Sequence, residues 1–280
     1  MIKPGNENGI SANCSTDGLS SRLFRNVKGI IFDFDGTLFD NALIPFYLVA
    51  AYPVDALRLW KERRIRKNML GCDFGTTENY YRAFFTALGK ACFITPERAE
   101  KWYFGRYMPR MVRMLKKHYN PRPGVTELFR RFNLAEANRN NAALQNGSRE
   151  TPKVAVYSDY PLLRERLEAL GIYSGPGIKL YGPESFGAQK PAARPFTSIA
   201  DASGITPEET LVIGDREDTD GLGAFKAGMR FFCLETGRKR HFQLDPSRRL
   251  EKETPHGPSL LMYGGPWDGL YNLLLELFPG

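Results

Sequence analysis

The sequence predicts an α/β fold: a doubly wound parallel sheet interrupted by an inserted α-helical segment. Three observations predict it. Five short β-rich runs alternate with helical patterns, the rhythm of parallel strands joined by crossover helices. The bounds and composition of the runs suit strands buried on both faces. One stretch, residues 41–120, breaks the rhythm and carries helical patterns only.

Residues 1–21 are rich in Gly, Ser, Asn and Asp and read as a disordered tail. The first strand is Val27-Lys-Gly-Ile-Ile-Phe, leading to Asp33. Helices are then expected over 54–70, stopped by Gly71, and over 78–88, stopped by Gly89. Thr95 and Pro96 open a further helix as cap and first-turn residue, running towards Tyr119 with a kink near Pro109. The chain re-enters the sheet region through Asn120-Pro-Arg-Pro-Gly124, and 133–150, with five Asn, reads as a surface loop or frayed helix end. Val154–Tyr157 leads to Ser158, and a helix over 162–170 closes at Gly171. Ile178–Tyr181, Leu211–Gly214 before Asp215, and Arg230–Leu234 complete the strands, with a helix over 219–226 between the last two. Trp267–Phe278 places its leucines at helical spacing and reads as a closing helix packed on the core. The expected units are therefore a tail (1–21), a core (22–40 and 121–280) and a helical cap (41–120).

A length of 280 residues with 42% hydrophobic composition excludes global disorder. The net charge of +8 favours anionic ligands. Cysteines at 14, 72, 92 and 233 form no CxxC pair and no disulfide framework. No apolar run is long enough to span a bilayer, and the N-terminal residues lack a signal-peptide core, so a soluble cytoplasmic protein is expected.

In parallel sheets, chemistry gathers outside the carboxyl ends of the strands. Asp33, Ser158 and Asp215 fall there. Asp33 and Asp35, two apart on a strand end, project to one side, while Phe34 points into the core. Such a pair suits one carboxylate as nucleophile and the other as proton shuttle. Ser158 can donate to an anion, and Lys190 can neutralise negative charge. Three carboxylates without a nearby His or Cys suit a hard cation such as Mg²⁺. Taken singly, each feature equally fits an ordinary turn or surface loop.

Taken in order, these segments resemble the four motifs of the haloacid dehalogenase superfamily. They are Asp33-Phe-Asp35-Gly-Thr-Leu38, the strand ending at Ser158, Lys190, and Gly214-Asp215 followed by Asp220. Lys190-Pro191-Ala-Ala-Arg-Pro-Phe196 is similar to the family's Lys-Pro-x-Pro-x-x-Phe, with Ala193 at the second proline. The resemblance, to a phosphatase-type member of the phosphoglycolate phosphatase-like kind, spans residues 22–237. It implies a Rossmann-like core with the helical cap between the first and second motifs, and an aspartyl-phosphate mechanism. Asp33 would be the nucleophile and Asp35 the general acid and base. Mg²⁺ would be held by Asp33, the backbone carbonyl of Asp35, and Asp215. Ser158 and Lys190 would bind phosphate, with Asp220, in preference to Asp218, as the supporting acid of the fourth motif.

Dehalogenases of the family lack the second aspartate of the first motif, and transport ATPases carry threonine there, so Asp35 points away from both. The expected activity is Mg²⁺-dependent hydrolysis of a small phosphorylated metabolite, with no nucleic-acid and no membrane partner. The alternatives are a phosphoryl-transfer mutase, a phosphonate hydrolase, or a non-catalytic anion- or nucleic-acid-binding protein. Basic residues 61–67 and the trio Arg106, Arg110 and Arg113 would either steer an anionic substrate or form a solvated face.

Overall fold

The computed structural model describes residues 23–142, 151–236, 252–254, 257–260 and 262–279. The expected tail, the end of the Asn-rich stretch from 143, Cys14 and the basic run at 238–249 lie outside the described residues. Cys72, Cys92 and Cys233 are free thiols.

The five expected strands form at their expected places: β1 (Gly29–Asp33), β2 (Lys153–Tyr157), β3 (Ile178–Tyr181), β4 (Thr210–Gly214) and β5 (Arg230–Leu234). A short antiparallel ribbon, β6 (Lys252–Thr254) with β7 (Gly257–Leu260), follows, and β8 (Met262–Gly265) joins the main sheet. The six-stranded sheet has the order β3-β2-β1-β4-β5-β8, parallel throughout. β1 and β4 are buried at every position and β2 at all but its first, whereas the outer strand β3 is buried only at Ile178. This is the Rossmann-like architecture. The sixth strand was not foreseen because two of its four residues are glycines, which weaken a strand signal. Chain order reverses at β1, so the crevice between the carboxyl ends of β1 and β4 is the topological switch point.

The cap is helical, as expected. It comprises α1 (Ile44–Ala51), α2 (Ala56–Asn68), α3 (Thr77–Cys92), α4 (Pro96–Trp102) and α5 (Met108–His118). Thr76 and Thr95 cap α3 and α4 by accepting from the Asn79 and Arg98 amides. Gly89 does not stop α3. The helix runs on to Cys92 and ends at Phe93, a left-handed residue (φ 57°). Ile94 N–H returns to the Gly89 carbonyl, and a side chain at 89 would press on the Ile94 carbonyl oxygen. Instead of a kink at Pro109, one π-helical turn over Tyr103–Tyr107 precedes it. The widened turn accommodates a ring that lacks an N–H and crowds the carbonyl one turn back.

The core continues with α6 (Val125–Ala142), α7 (Leu163–Ala169), α8 (Ala193–Ala202), α9 (Leu222–Lys226) and α10 (Trp267–Leu277). Residues 133–142 thus form the end of α6, the helix-end alternative of the two expected. Leu128, Phe129 and Phe132 bury one face of α6, and Asn133 is satisfied by donating to the Phe129 carbonyl and accepting from Gly177 N–H. The closing helix α10 forms as expected, burying Trp267, Leu270, Leu273 and Leu274. Among the described residues no helix is long and apolar enough to cross a membrane.

Candidate active site

β1 delivers Asp33 to the switch point, where its carboxylate is fixed at both oxygens. Lys190 Nζ donates to Oδ1 at 2.6 Å, and Thr37 Oγ1 donates to Oδ2 at 2.9 Å. Lys190 also donates to the Tyr157 carbonyl at 3.0 Å and pairs with Asp220 Oδ1 at 2.8 Å. Asp215 follows β4 directly. Carboxylate oxygens of Asp33, Asp215 and Asp220 all lie within 4.8 Å of one another.

Two glycines make this crowding possible. Gly36 has φ +98°, and a Cβ there would overlap the Asp215 carboxylate. A Cβ on Gly214 would fall 2.6 Å from Asp220.

The electrostatics follow from burial. Burial pushes the Asp33 carboxyl up to about 7; Asp220 and Asp35 add to the rise, and Lys190 opposes it. Asp215 is raised to about 7 by burial and then by Asp33, and Asp220 to about 6 by burial against the pull of Lys190. Burial would lower Lys190, yet Asp220, Asp33 and Asp159 together hold it well above its ordinary range. Within this cluster the Oδ1 atom of Asp215 is buried with no hydrogen-bond partner. A set of oxygen donors, short of positive charge and with an orphaned carboxylate oxygen, fits a hard divalent cation.

Asp35 lies apart from that cluster. Its carboxylate accepts from Ser158 Oγ at 3.0 Å and is ion-paired with Arg166, whose side chain is wholly buried. Ser158 also accepts from Tyr160 N–H (3.1 Å) and Arg166 Nη1 (2.9 Å), so here its hydroxyl proton is turned to Asp35. Asp220 is buried in the cluster, whereas Asp218 is exposed and paired with Arg216 at 2.7 Å.

Four residues of the site escaped the sequence reading. Thr37 orients Asp33. Arg166 holds Asp35 while its guanidinium sits 4.5 Å from the Phe34 ring centroid. Asp159 accepts from Lys190 N–H at 3.0 Å. Arg122, on the return from the cap, donates to the Thr37 carbonyl (2.9 Å) and the Gly36 carbonyl (2.7 Å). For Arg166 a signal was present: it shares one helix face with Leu163, Leu167 and Leu170, an apolar stripe that buries it.

Of the cap arginines, Arg110 pairs with buried Asp55 and lies 3.8 Å from the Tyr52 ring centroid, a structural role, while Arg106 and Arg113 are exposed. The intervening π turn breaks the shared face that regular helical spacing implies. Core and cap also meet where Gly71, Cys72 and Phe74 exchange backbone hydrogen bonds with residues 187–190. Asp73 pairs there with Arg194 at 2.5 Å. Next to Asp35, between α1, α2, α5 and Tyr160, opens a cavity of about 390 Å³.

Solved structures with this fold include the putative HAD-hydrolase YfnB from Bacillus subtilis bound to magnesium (17% identity, TM-score 0.50, covering 89% of this chain and 98% of that one). The L-2-haloacid dehalogenase RSc1362 is similar at 14% identity and TM-score 0.51, with 89% and 98% covered. A predicted phosphoglycolate phosphatase from Haemophilus somnus aligns at 20% identity and TM-score 0.48, with 85% and 94% covered. At such identities the likeness is one of fold. No curated protein matches the chain in sequence. The family model of the haloacid dehalogenase-like hydrolases matches residues 27–228, a span that contains Asp33, Ser158, Lys190, Asp215 and Asp220, and the chain belongs to that family.

Proposed function

We propose that the protein is a Mg²⁺-dependent phosphomonoesterase acting on a small phosphorylated metabolite in the cytoplasm, with residues 41–120 as cap and 22–40 and 121–280 as core. The observation that carries the reading is the division of labour between two aspartates. Asp33 sits among Lys190, Asp215 and Asp220, and Asp35 lines the adjoining cavity, held by Arg166. An ester whose phosphoryl group lies against Asp33 would extend its leaving group past Asp35.

Asp33 attacks phosphorus through a carboxylate oxygen, forming an acyl–phosphate bond as the P–O bond to the alcohol breaks. In its protonated form, Asp35 would give that proton to the departing oxygen. A water then enters, Asp35 takes its proton, and attack at phosphorus breaks the bond to Asp33, releasing inorganic phosphate. Lys190, charged throughout, offsets the negative charge of the phosphoryl oxygens. The Ser158 hydroxyl would pass from Asp35 to a phosphoryl oxygen as the substrate binds. Asp33 and Asp215, with the Asp35 carbonyl, would hold Mg²⁺, and Asp220 would keep Lys190 in place. The bound ion supplies charge neutralisation at the phosphoryl group.

The test is turnover of 4-nitrophenyl phosphate with Mg²⁺. Asp33→Asn is expected to abolish it with the fold intact, and Asp35→Asn to lower kcat by roughly 10²–10⁴-fold. Phosphate trapped by acid quench should map to Asp33. Turnover by Asp33→Asn at more than a small fraction of the wild-type rate would overturn the nucleophile.

A further inference from the structure

We infer that the leaving-group cavity selects phosphate monoesters of apolar, chain-like alcohols over polyhydroxylated ones; this rests on the phosphomonoesterase reading and specifies its substrate class. The cavity beside Asp35 is walled mostly by hydrocarbon. α1 contributes Ile44 and Leu48, one turn apart on a buried face, α2 contributes Leu59, and α5 contributes Met111. The polar side chains on its wall are Asp35, Asn41, Arg63, which is exposed, and the tyrosines Tyr107 and Tyr160.

A sugar brings several hydroxyls, and each one buried without a partner is penalised. Hydrocarbon walls can satisfy few of them. An alkyl chain needs no partner and leaves water for a surface that resembles itself. Each fully buried methylene strengthens binding by about fourfold.

The cavity also has an apolar way out. Val49 and Trp60 line it and remain 42% and 56% exposed. On the same two helices Phe46 and Leu57 are also mostly exposed. An open end of this kind lets a chain longer than the cavity emerge along a hydrophobic rim. Exposed apolar side chains are ordinary when scattered. Here they cluster on the two helices that wall the pocket.

The experiment compares ethyl, butyl, hexyl and octyl phosphate with a hexose 6-phosphate as substrates, below the micellar range. In parallel, the affinities of ethyl-, butyl- and octylphosphonate, which are not hydrolysed, are measured by titration calorimetry. Expected is a rise in kcat/KM of a hundredfold or more from ethyl to octyl, with the hexose ester below butyl, and a matching rise in phosphonate affinity. Trp60→Ser and Val49→Ser, at half-exposed positions that the fold does not need, should each reduce the octyl-to-ethyl ratio about tenfold. A flat series, a preference for the hexose ester, or ratios unmoved by both variants overturns the inference while the phosphatase reading stands. If no ester is hydrolysed, the phosphatase reading falls. The phosphonate affinities then decide the pocket alone: a chain-length dependence upholds it and equal affinities overturn it.

Discussion

Arg166 connects Asp35 and Ser158, two residues that the proposed mechanism needs in register. One guanidinium grips the Asp35 carboxylate and the Ser158 hydroxyl, and lies on the Phe34 ring. Replacing it with Met keeps the volume and removes the grip, so kcat should fall tenfold to a hundredfold with KM for an aryl phosphate little changed. Arg166→Lys keeps the charge but not the fork, and should fall between. Equal losses in both variants, or a loss confined to KM, would show that Arg166 does not act through Asp35. Asp218 and Asp220 make a second contrast. Both are acids of the same loop, but only Asp220 is buried against Lys190. Asp220→Asn should lower kcat at least tenfold, whereas Asp218→Asn should leave it within twofold in the same assay. Asp33, Ser158 and Asp215 were legible because each stands where an apolar run stops, and Lys190 because it opens a Lys-Pro pattern. Arg122 was not, because an arginine between two prolines looks the same whether it meets solvent or a carboxylate; the apolar stripe around Arg166 signals its burial but not the carboxylate it meets.

Helix α2 shows that limit over a whole element. Residues 61–67 read as a basic, solvated or steering face, yet Arg66 is buried. It pairs with Glu62 and donates to the Tyr80 and Tyr103 hydroxyls and, across to the core, to the Asp159 carbonyl at 2.8 Å. Its guanidinium also lies 4.2 Å from the Tyr160 ring centroid. The pair thus ties the cap to the residues that follow Ser158. Glu78 and Arg82 on α3 have the same four-residue spacing but lie in solvent. Breaking the buried pair leaves an uncompensated guanidinium among aromatic rings, so Glu62→Ala should destabilise the fold by about 3 kcal/mol or more. Glu78→Ala should leave the denaturation midpoint nearly unchanged. Denaturant unfolding of the two variants checks this, and comparable losses would mean that burial does not separate them. Spacing alone shows two equal pairs. Which one is buried depends on the aromatic packing of α3 and of the π turn that supplies Tyr103.

On the scale of the whole molecule, the sheet order brings residues 33, 158, 190 and 215 to one crevice from segments far apart in sequence. Strand positions followed from the apolar runs. The strand order, the sixth strand and the cap's seat on the core did not, since they depend on contacts between distant segments. The convergence has an electrostatic consequence. In the metal-free protein, Asp33 and Asp215 are raised to about 7, from 3.8 for a carboxyl in water. A carboxyl raised on folding stabilises the fold while protonated, and that contribution is lost as pH rises through the folded value. The metal-free protein should therefore lose stability between about pH 4 and pH 7 on account of these two groups. A divalent cation binds the ionised forms and removes their mutual repulsion, so its uptake must displace protons near neutrality. Bound only by the folded state, it raises Tm by mass action. The gain in Tm from 10 mM Mg²⁺ should consequently be larger at pH 8 than at pH 6. The chelated protein should melt lower at pH 8 and be inactive at either pH, with activity restored by Mg²⁺. Differential scanning fluorimetry with and without chelator reads the first part, and 4-nitrophenyl phosphate turnover the second. Equal Mg²⁺ shifts at both pH values would mean that the ion does not compete with protons for Asp33 and Asp215, and that the buried acids are held by Lys190 alone.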